Sequence, residues 1–344
     1  MKKKITIKDI AELAQVSIGT VDRVLHKRGK VSPKSLKRVN DALKEFHYKP
    51  NPLARSLKAN KTHMISVLVP DPQKDPYWAA CATEIEKVIK EYDAFDVAID
   101  INYFDPSIPK LFSKSGHQII EKNPNAFLFV PLFDKESRGL LKILEEKQII
   151  SVTFNSLPNS YNGHHVGQDL HLSGRVAAKL MSTFISSPSK IGVIHIDETF
   201  DNAIHIQQKE AGFRSFFKEH HPKHQITVKS IALDGVLETV RKMVREEQIH
   251  CFFVTTSKTY KVASCLESLK TNSILIGYDL LPQNLEYLKK GCIQFLIHQA
   301  PGLQASLSLK WLIEKSLFNK EIPKEYFLPI DIINSENYKS YLLP

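Results

Sequence analysis

The sequence has no run of about eighteen apolar residues, which excludes a membrane-spanning helix. Its four cysteines, Cys81, Cys251, Cys265 and Cys292, form no CxxC pair and have no histidine at zinc-ligand spacing. Neither a disulfide framework nor a metal site is expected, and the thiols read as buried core groups in a reducing compartment. Also missing are a glycine-rich phosphate loop, a GxSxG elbow, an HExxH helix and a facing pair of catalytic carboxylates. The chain therefore reads as a non-enzyme without cofactor or metal. The basic opening Met1-Lys2-Lys3-Lys4 meets Lys8 and Asp9 before any secretory apolar core forms, so a cytoplasmic location without membrane contact is expected.

What is present is an uneven distribution of charge. The 344 residues carry a formal net charge of +10, and 42% are hydrophobic, enough for two or three domains with real cores. Residues 1 to 61 hold sixteen Lys and Arg against five Asp and Glu. The rest of the chain holds 31 against 32. A basic module joined to a neutral body is the asymmetry expected of a nucleic-acid-binding head on a separate globular domain.

The head reads as three short helices. Thr6 caps the first, about 6 to 14, with Asp9 three residues on and an apolar stripe of Ile7, Ile10, Ala11, Leu13 and Ala14. Ser17 caps the second, about 18 to 26, whose Val21, Val24 and Leu25 recur at helical spacing. Two short helices joined by a tight turn form a helix-turn-helix, whose second helix enters the major groove of DNA. Ser32-Pro33 opens a third helix, with Leu36, Val39, Leu43 and Phe46 expected inward and Lys34, Lys37, Arg38 and Lys44 outward.

The stretch Ile7-Lys8-Asp9-Ile10-Ala11-Glu12-Leu13-Ala14-Gln15-Val16-Ser17-Ile18-Gly19-Thr20-Val21-Asp22-Arg23-Val24-Leu25, with Val31-Ser32 and Tyr48-Lys49-Pro50-Asn51 after it, resembles the head of the lac repressor (LacI/GalR) family of bacterial transcriptional regulators. Asn51-Pro52-Leu53-Ala54-Arg55-Ser56-Leu57-Lys58-Ala59-Asn60 resembles that family's hinge helix, which forms on operator DNA. The resemblance implies that Leu57 wedges into the minor groove beside Arg55 and Lys58, with Asn51 as cap. It places Ile18, Gly19, Asp22 and Arg23 at base edges, and Thr6, Ser17, Thr20, Ser32 and Lys34 at the DNA backbone. Arg23 has the fork for a bidentate contact to guanine, worth about 1–3 kcal/mol of discrimination. Ile18 and Gly19 stand where relatives carry polar or aromatic readers, and Asp22 where a serine is usual. Those departures predict looser specification of the facing base pairs.

Beyond Met64, short apolar runs alternate with helical segments. One set of strands is expected at 65–69, 97–101, 126–130 and 149–154, and a second at 191–196, 227–231, 251–254, 274–277 and 293–297. This alternation implies parallel, doubly wound sheets, and two sets imply two lobes with a ligand cleft at the strands' carboxyl ends. The expected fold is thus an all-α helix-turn-helix DNA-binding head (1–50) with a hinge helix (51–62), followed by an α/β sensor (63–344) of two doubly wound parallel-sheet lobes. The first lobe takes 63–166 and 300–328, the second 167–299 and 329–344.

The body resembles, more loosely, the same family's periplasmic-binding-protein-like sensor. The resemblance places Asp75, Tyr77 and Trp78 against a sugar ring, and Asn155, Lys209, Thr256, Asp279 and Gln299 at its polar groups. Asn155 replaces an aspartate common among relatives, Lys209 an arginine, and Thr256-Ser257 an Asn-Asp pair. Other readings stand beside these: Tyr77 and Trp78 as core, Asn155 as a strand-ending turn residue, Lys209 as a solvated helix lysine. His164, His165, His195, His205, His220, His221 and His224 have no metal-site spacing. The expectation is a homodimeric regulator, by family habit a repressor, that binds double-stranded operator DNA under control of a small carbohydrate-like effector. Alternatives are a sugar-binding protein without regulatory role and an effector that is a sugar acid, sugar phosphate or nucleoside.

Overall fold

The computed structural model describes residues 7–25, 29–45, 62–158, 161–185, 188–197 and 202–342. The chain divides into two compact units, Met1–Asn60 and Lys61–Pro344. In the first unit, α1 (Ile7–Leu13), α2 (Ile18–Leu25) and α3 (Pro33–Glu45) enclose a small core of Ile10, Ala11, Ala14, Val21, Val39 and Ala42. Ser17 starts α2 by accepting the Thr20 N–H at 3.2 Å, and Ser32 starts α3 by accepting the Ser35 N–H at 3.2 Å. Gln15, at φ 52°, makes the left-handed turn between α1 and α2. Two inward assignments are corrected: Leu13 is 53% and Leu36 is 42% exposed, because three short helices leave room for only one narrow stripe from each. Phe46 and residues 51–61 of the expected hinge helix lie outside the described residues.

The second unit holds two six-stranded sheets. In chain order its elements are β1 (His63–Pro70), α4 (Ala79–Glu91), β2 (Val97–Phe104), α5 (Pro109–Glu121), β3 (Ala126–Phe129), α6 (Asp134–Glu146), β4 (Ile150–Asn155), β5 (His164–Gly167) and α7 (Leu170–Ser182). These are followed by β6 (Lys190–Ile196), α8 (Ile204–His220), β7 (Gln225–Ile231), α9 (Val236–Arg245), β8 (Cys251–Val254), α10 (Thr259–Ser268) and β9 (Ile274–Tyr278). The remainder is α11 (Pro282–Lys289), β10 (Phe295–His298), α12 (Pro301–Phe318), β11 (Glu325–Phe327) and β12 (Asp331–Ile333). Strand order is β11-β5-β4-β3-β1-β2 in one sheet and β12-β10-β9-β8-β6-β7 in the other. All ladders are parallel except β10 with β12.

Helices on both faces bury the central strands completely, which is why β3 and β8 are unbroken apolar runs rather than alternating ones. The chain passes between the lobes three times, after β5, after β10 and after β11, so each sheet is finished by segments far apart in sequence. In each sheet the winding reverses beside the first strand, between β1 and β3 and between β6 and β8, which opens a crevice at the carboxyl ends. β5, β11 and β12 were not expected as strands. Cys81, Cys251 and Cys265 are buried, whereas Cys292 is only partly so. Among the described residues, no helix is long and apolar enough to cross a membrane.

Candidate functional site

In the head, Ile18, Gly19, Asp22 and Arg23 lie on α2 with exposed side-chain positions, and Val21 on the opposite face is fully buried. Ser17, Ser32 and Lys34 are exposed and Thr20 partly so. Ser17 and Ser32 also cap their helices, so each hydroxyl has a structural task. Thr6, Asn51, Arg55, Leu57 and Lys58 lie outside the described residues.

In the body, a cavity of about 400 Å³ opens between the lobes at the strands' carboxyl ends. All eight residues singled out from the sequence, Asp75, Tyr77, Trp78, Asn155, Lys209, Thr256, Asp279 and Gln299, line it. From the first lobe, Asp75 caps a single 3-10 turn, Pro76–Trp78, by accepting the Tyr77 N–H at 3.0 Å. Pro76 presets the turn, which swings both aromatic rings inward. The two rings meet edge to face, 4.8 Å between centroids, and Trp78 is braced by Phe154. Asn155 closes β4 in the left-handed region, at φ 73°, and donates to the Tyr77 hydroxyl at 2.7 Å. Asn155 is thus both a strand-ending turn residue and a cleft residue. Burial, with the nearby Asp279, Cys81 and Asp75, pushes the Tyr77 phenol well above its ordinary range, so it stays protonated.

From the second lobe come the residues after β6, β8, β9 and β10. Asp279 sits at φ 66° just beyond β9 and accepts from the Gln299 N–H at 3.1 Å and its side-chain amide at 2.6 Å. Burial raises its carboxyl, opposed by the charges of His298 and Lys209 and by the two bonds from Gln299. Burial in turn lowers His298. Lys209 is 2% exposed, which removes the solvated-lysine reading. Its Nζ donates to the Thr255 carbonyl at 3.1 Å and lies 3.8 Å from the centre of the Tyr278 ring. Tyr278 shares a 2.6 Å hydrogen bond with Ser173, which fixes the ring.

Behind this floor runs a buried polar chain. His195 bonds Thr255 through Nδ1 at 2.7 Å and Glu210 through Nε2 at 2.8 Å, and Arg214 holds the other oxygen of Glu210 at 2.5 Å. Burial raises Glu210, but the bonds from His195 and Arg214 outweigh it and leave the carboxyl below its ordinary range. Asn284, fully buried, donates to the carbonyls of Ser257, Tyr278 and Asp279 at 2.8, 3.0 and 2.9 Å and accepts the Tyr260 N–H at 2.7 Å. One amide thus ties the loop after β8 to the loop after β9.

Sequence reasoning missed several lining residues, among them Lys74, Asp105, Asp197, His205, Lys258 and Tyr260. Asp105 and Asp197 immediately follow β2 and β6, so their place at strand carboxyl ends was the available signal. Among the described residues, no cluster of three or more His, Cys, Asp and Glu is arranged to hold a metal ion.

Residues 6–51 match the profile of bacterial regulatory proteins, lacI family, and residues 65–320 match the periplasmic binding protein domain. The ribose operon repressor of Lactococcus lactis is 23% identical over 97% of this chain and 98% of its own length. That of Halalkalibacterium halodurans is 41% identical, but over 25% of this chain and 26% of its own. A solved chain from Bacteroides fragilis, assigned to the LacI transcriptional regulators, superposes with a TM-score of 0.76 at 27% identity, covering 82% of this chain and 100% of that one. A solute binding protein from Burkholderia graminis, solved with D-arabinose, shares the fold, with a TM-score of 0.73 at 17% identity over 83% of this chain and 99% of its own.

Proposed function

Because the chain belongs to the lacI family of bacterial regulatory proteins, with a periplasmic binding protein domain as its body, we propose that it is a transcriptional repressor. Its operator affinity is set by a small neutral carbohydrate held between the lobes. The observation that carries this reading is the joining, in one chain, of an exposed recognition helix to a cleft lined by the eight residues named above. The chain acts as a homodimer on a pseudo-palindromic operator, because a single head reads too few base pairs for specificity. Arg23 reads a guanine, Ile18 has only a thymine methyl to touch, and Ser17, Ser32 and Lys34 hold phosphates. Leu57, Arg55 and Lys58 enter the minor groove.

In the cleft, Trp78 and Tyr77 take the C–H face of a sugar ring, and Asn155, Asp279, Gln299 and Thr256 take its hydroxyls. A neutral ligand fits better than a sugar acid or sugar phosphate, because the charge of Lys209 is already opposed by Asp279 and satisfied by Thr255. Effector alters operator affinity by as much as it favours one arrangement of the lobes over the other.

The test is a band shift with the promoter fragments next to the gene, using the full chain and residues 62–344. The full chain should retard one fragment in a dimeric, salt-sensitive complex, and the fragment lacking the head should retard none. Equal binding to all DNAs would reject sequence-specific regulation. Thermal-shift screening against aldoses, polyols, sugar acids and sugar phosphates then identifies the effector, since a ligand present at 100 times its Kd raises stability by about 2.7 kcal/mol.

A further inference from the structure

The mouth of the cleft carries a charge arrangement that the proposed sugar contacts leave unused. Lys258, in the loop between β8 and α10, places its Nζ 3.7 Å from Oδ2 of Asp75 and 3.6 Å from Oδ2 of Asp197. Asp75 belongs to the first lobe, following β1, while Lys258 and Asp197 belong to the second, following β8 and β6. Both carboxylates are held in place beforehand. Oδ1 of Asp75 accepts the Tyr77 N–H at 3.0 Å, and Oδ1 of Asp197 accepts the Leu233 N–H at 2.7 Å. Each aspartate therefore spends one oxygen on its own loop and turns the other toward the same ammonium group.

We infer that Lys258 is a cross-cleft affinity determinant, an ionic latch that stabilises the closed arrangement of the lobes whatever ligand lies beneath it. Opening the cleft parts Lys258 from Asp75, while Asp197 travels with the lysine. The pair with Asp75 is thus gained on closure and the pair with Asp197 is kept in both arrangements, where it prepays the ordering of the lysine. The side chains of Lys258 and Asp75 are 17% and 14% exposed, which sets this pair apart from the freely solvated pairs that contribute little. The lobes also meet at a second place, where Asn202 accepts the Lys135 N–H at 3.2 Å and donates to Glu136 at 2.9 Å. Those bonds are neutral or to a single carboxylate. The Lys258 pair, by contrast, brings opposite side-chain charges together across the cleft. The consequence is that closure depends on salt even for an uncharged effector.

The experiment measures the lobes directly and needs no ligand. Spin labels on Lys110→Cys in the first lobe and Lys242→Cys in the second, in the full chain with Cys292→Ser, report the distance across the cleft. In Lys258→Gln the ratio of short to long distances should fall about fivefold, equivalent to about 1 kcal/mol. Lys258→Arg should restore it, and raising NaCl to about 1 M should bring the unsubstituted chain to the level of the glutamine variant. Identical distributions for lysine and glutamine would overturn the latch, and so would a difference that salt leaves untouched, which would mark a packing effect. The inference builds on the cleft as an effector site, yet the two fail separately. A sugar screen without a hit removes the carbohydrate reading and leaves the distances standing.

Discussion

Lys209 holds its ammonium group 3.8 Å from the centre of the Tyr278 ring while donating to the Thr255 carbonyl at 3.1 Å. A long flexible cation is thereby fixed on three sides, by an aromatic face, a backbone oxygen and the charge of Asp279. Lysine lacks the planar fork of arginine, so this orientation has to come from its surroundings.

Replacing Lys209 by Met should therefore weaken effector binding about 10- to 100-fold, because Asp279 is left buried without that opposing charge. Operator affinity without effector should not change. Calorimetric titration with the sugar selected by the thermal screen, beside band shifts of the same protein, checks both halves. An unaltered effector affinity would assign Lys209 to the scaffold alone.

Asn284→Ala should lower unfolding stability by about 2–4 kcal/mol, since it orphans three loop carbonyls and the Tyr260 N–H together. Asn284→Asp should be worse, for it sets a carboxylate against those carbonyls while keeping only the acceptor. Urea denaturation orders the three proteins, and an aspartate variant as stable as the parent would refute the donor role.

Two glycines set how closely α7 and α8 approach. A Cβ on Gly174 would come within 2.0 Å of the Lys209 carbonyl, and one on Gly212 within 1.9 Å of the His171 carbonyl. Both obstacles are backbone and cannot swing aside, so either Gly→Ala change must separate the helices. A loss of about 3 kcal/mol is expected, accompanied by weaker effector binding because α8 carries Lys209. Thermal unfolding within a degree of the parent would show that the crossing tolerates a methyl group.

Burial holds the His165 imidazole down to about 3, against about 6.5 in an unfolded chain. As pH falls below 6.5 the unfolded chain takes up a proton that the folded lobe refuses. Stability from this group is complete above that pH and drains away toward pH 3. At pH 5 the loss is about 2 kcal/mol. His165→Gln, neutral throughout, should decline less between pH 7 and pH 5 by that amount in urea titrations. His164, His224 and His298, all held low by burial, keep the same sign in both proteins. Parallel declines would take His165 out of the account.

Local pattern made most of the scaffold legible. Nine strands were legible: the inner ones as apolar runs, because parallel strands covered on both faces have few solvent-facing positions to break the run, and the edge strands β2 and β7 from β-branched residues despite Asp100 and Lys229. The three missed strands, β5, β11 and β12, lack that signature. β5 begins His164-His165, two residues that a sequence reader sets aside as titratable, and its pairing with residues near 325 is invisible locally. The cleft residues were legible where they follow a recognised strand, as Asp75, Asn155, Asp279 and Gln299 do. Lys258 and Asn284 escaped notice because each acquires its meaning from remote partners: Asp75 and Asp197 for the first, and Ser257 and Tyr260 for the second. Leu13 and Leu36 kept helical spacing yet face outward, since spacing shows which residues share a face and not how wide a face the neighbours cover.

The segment from α12 to β12 has a consequence for the order in which the molecule is made. α12 supplies Ala305, Leu309, Leu312 and Ile313 to the first lobe's core, β11 completes that lobe's sheet, and β12 then completes the other. A ribosome releases all of these after both lobes have been largely synthesised, so neither lobe reaches its finished form until this segment has emerged. The nascent chain waits with two open sheet edges and one incomplete core, which are then closed by the same thirty-odd residues. Any premature stop upstream of residue 301 leaves both lobes unfinished at once.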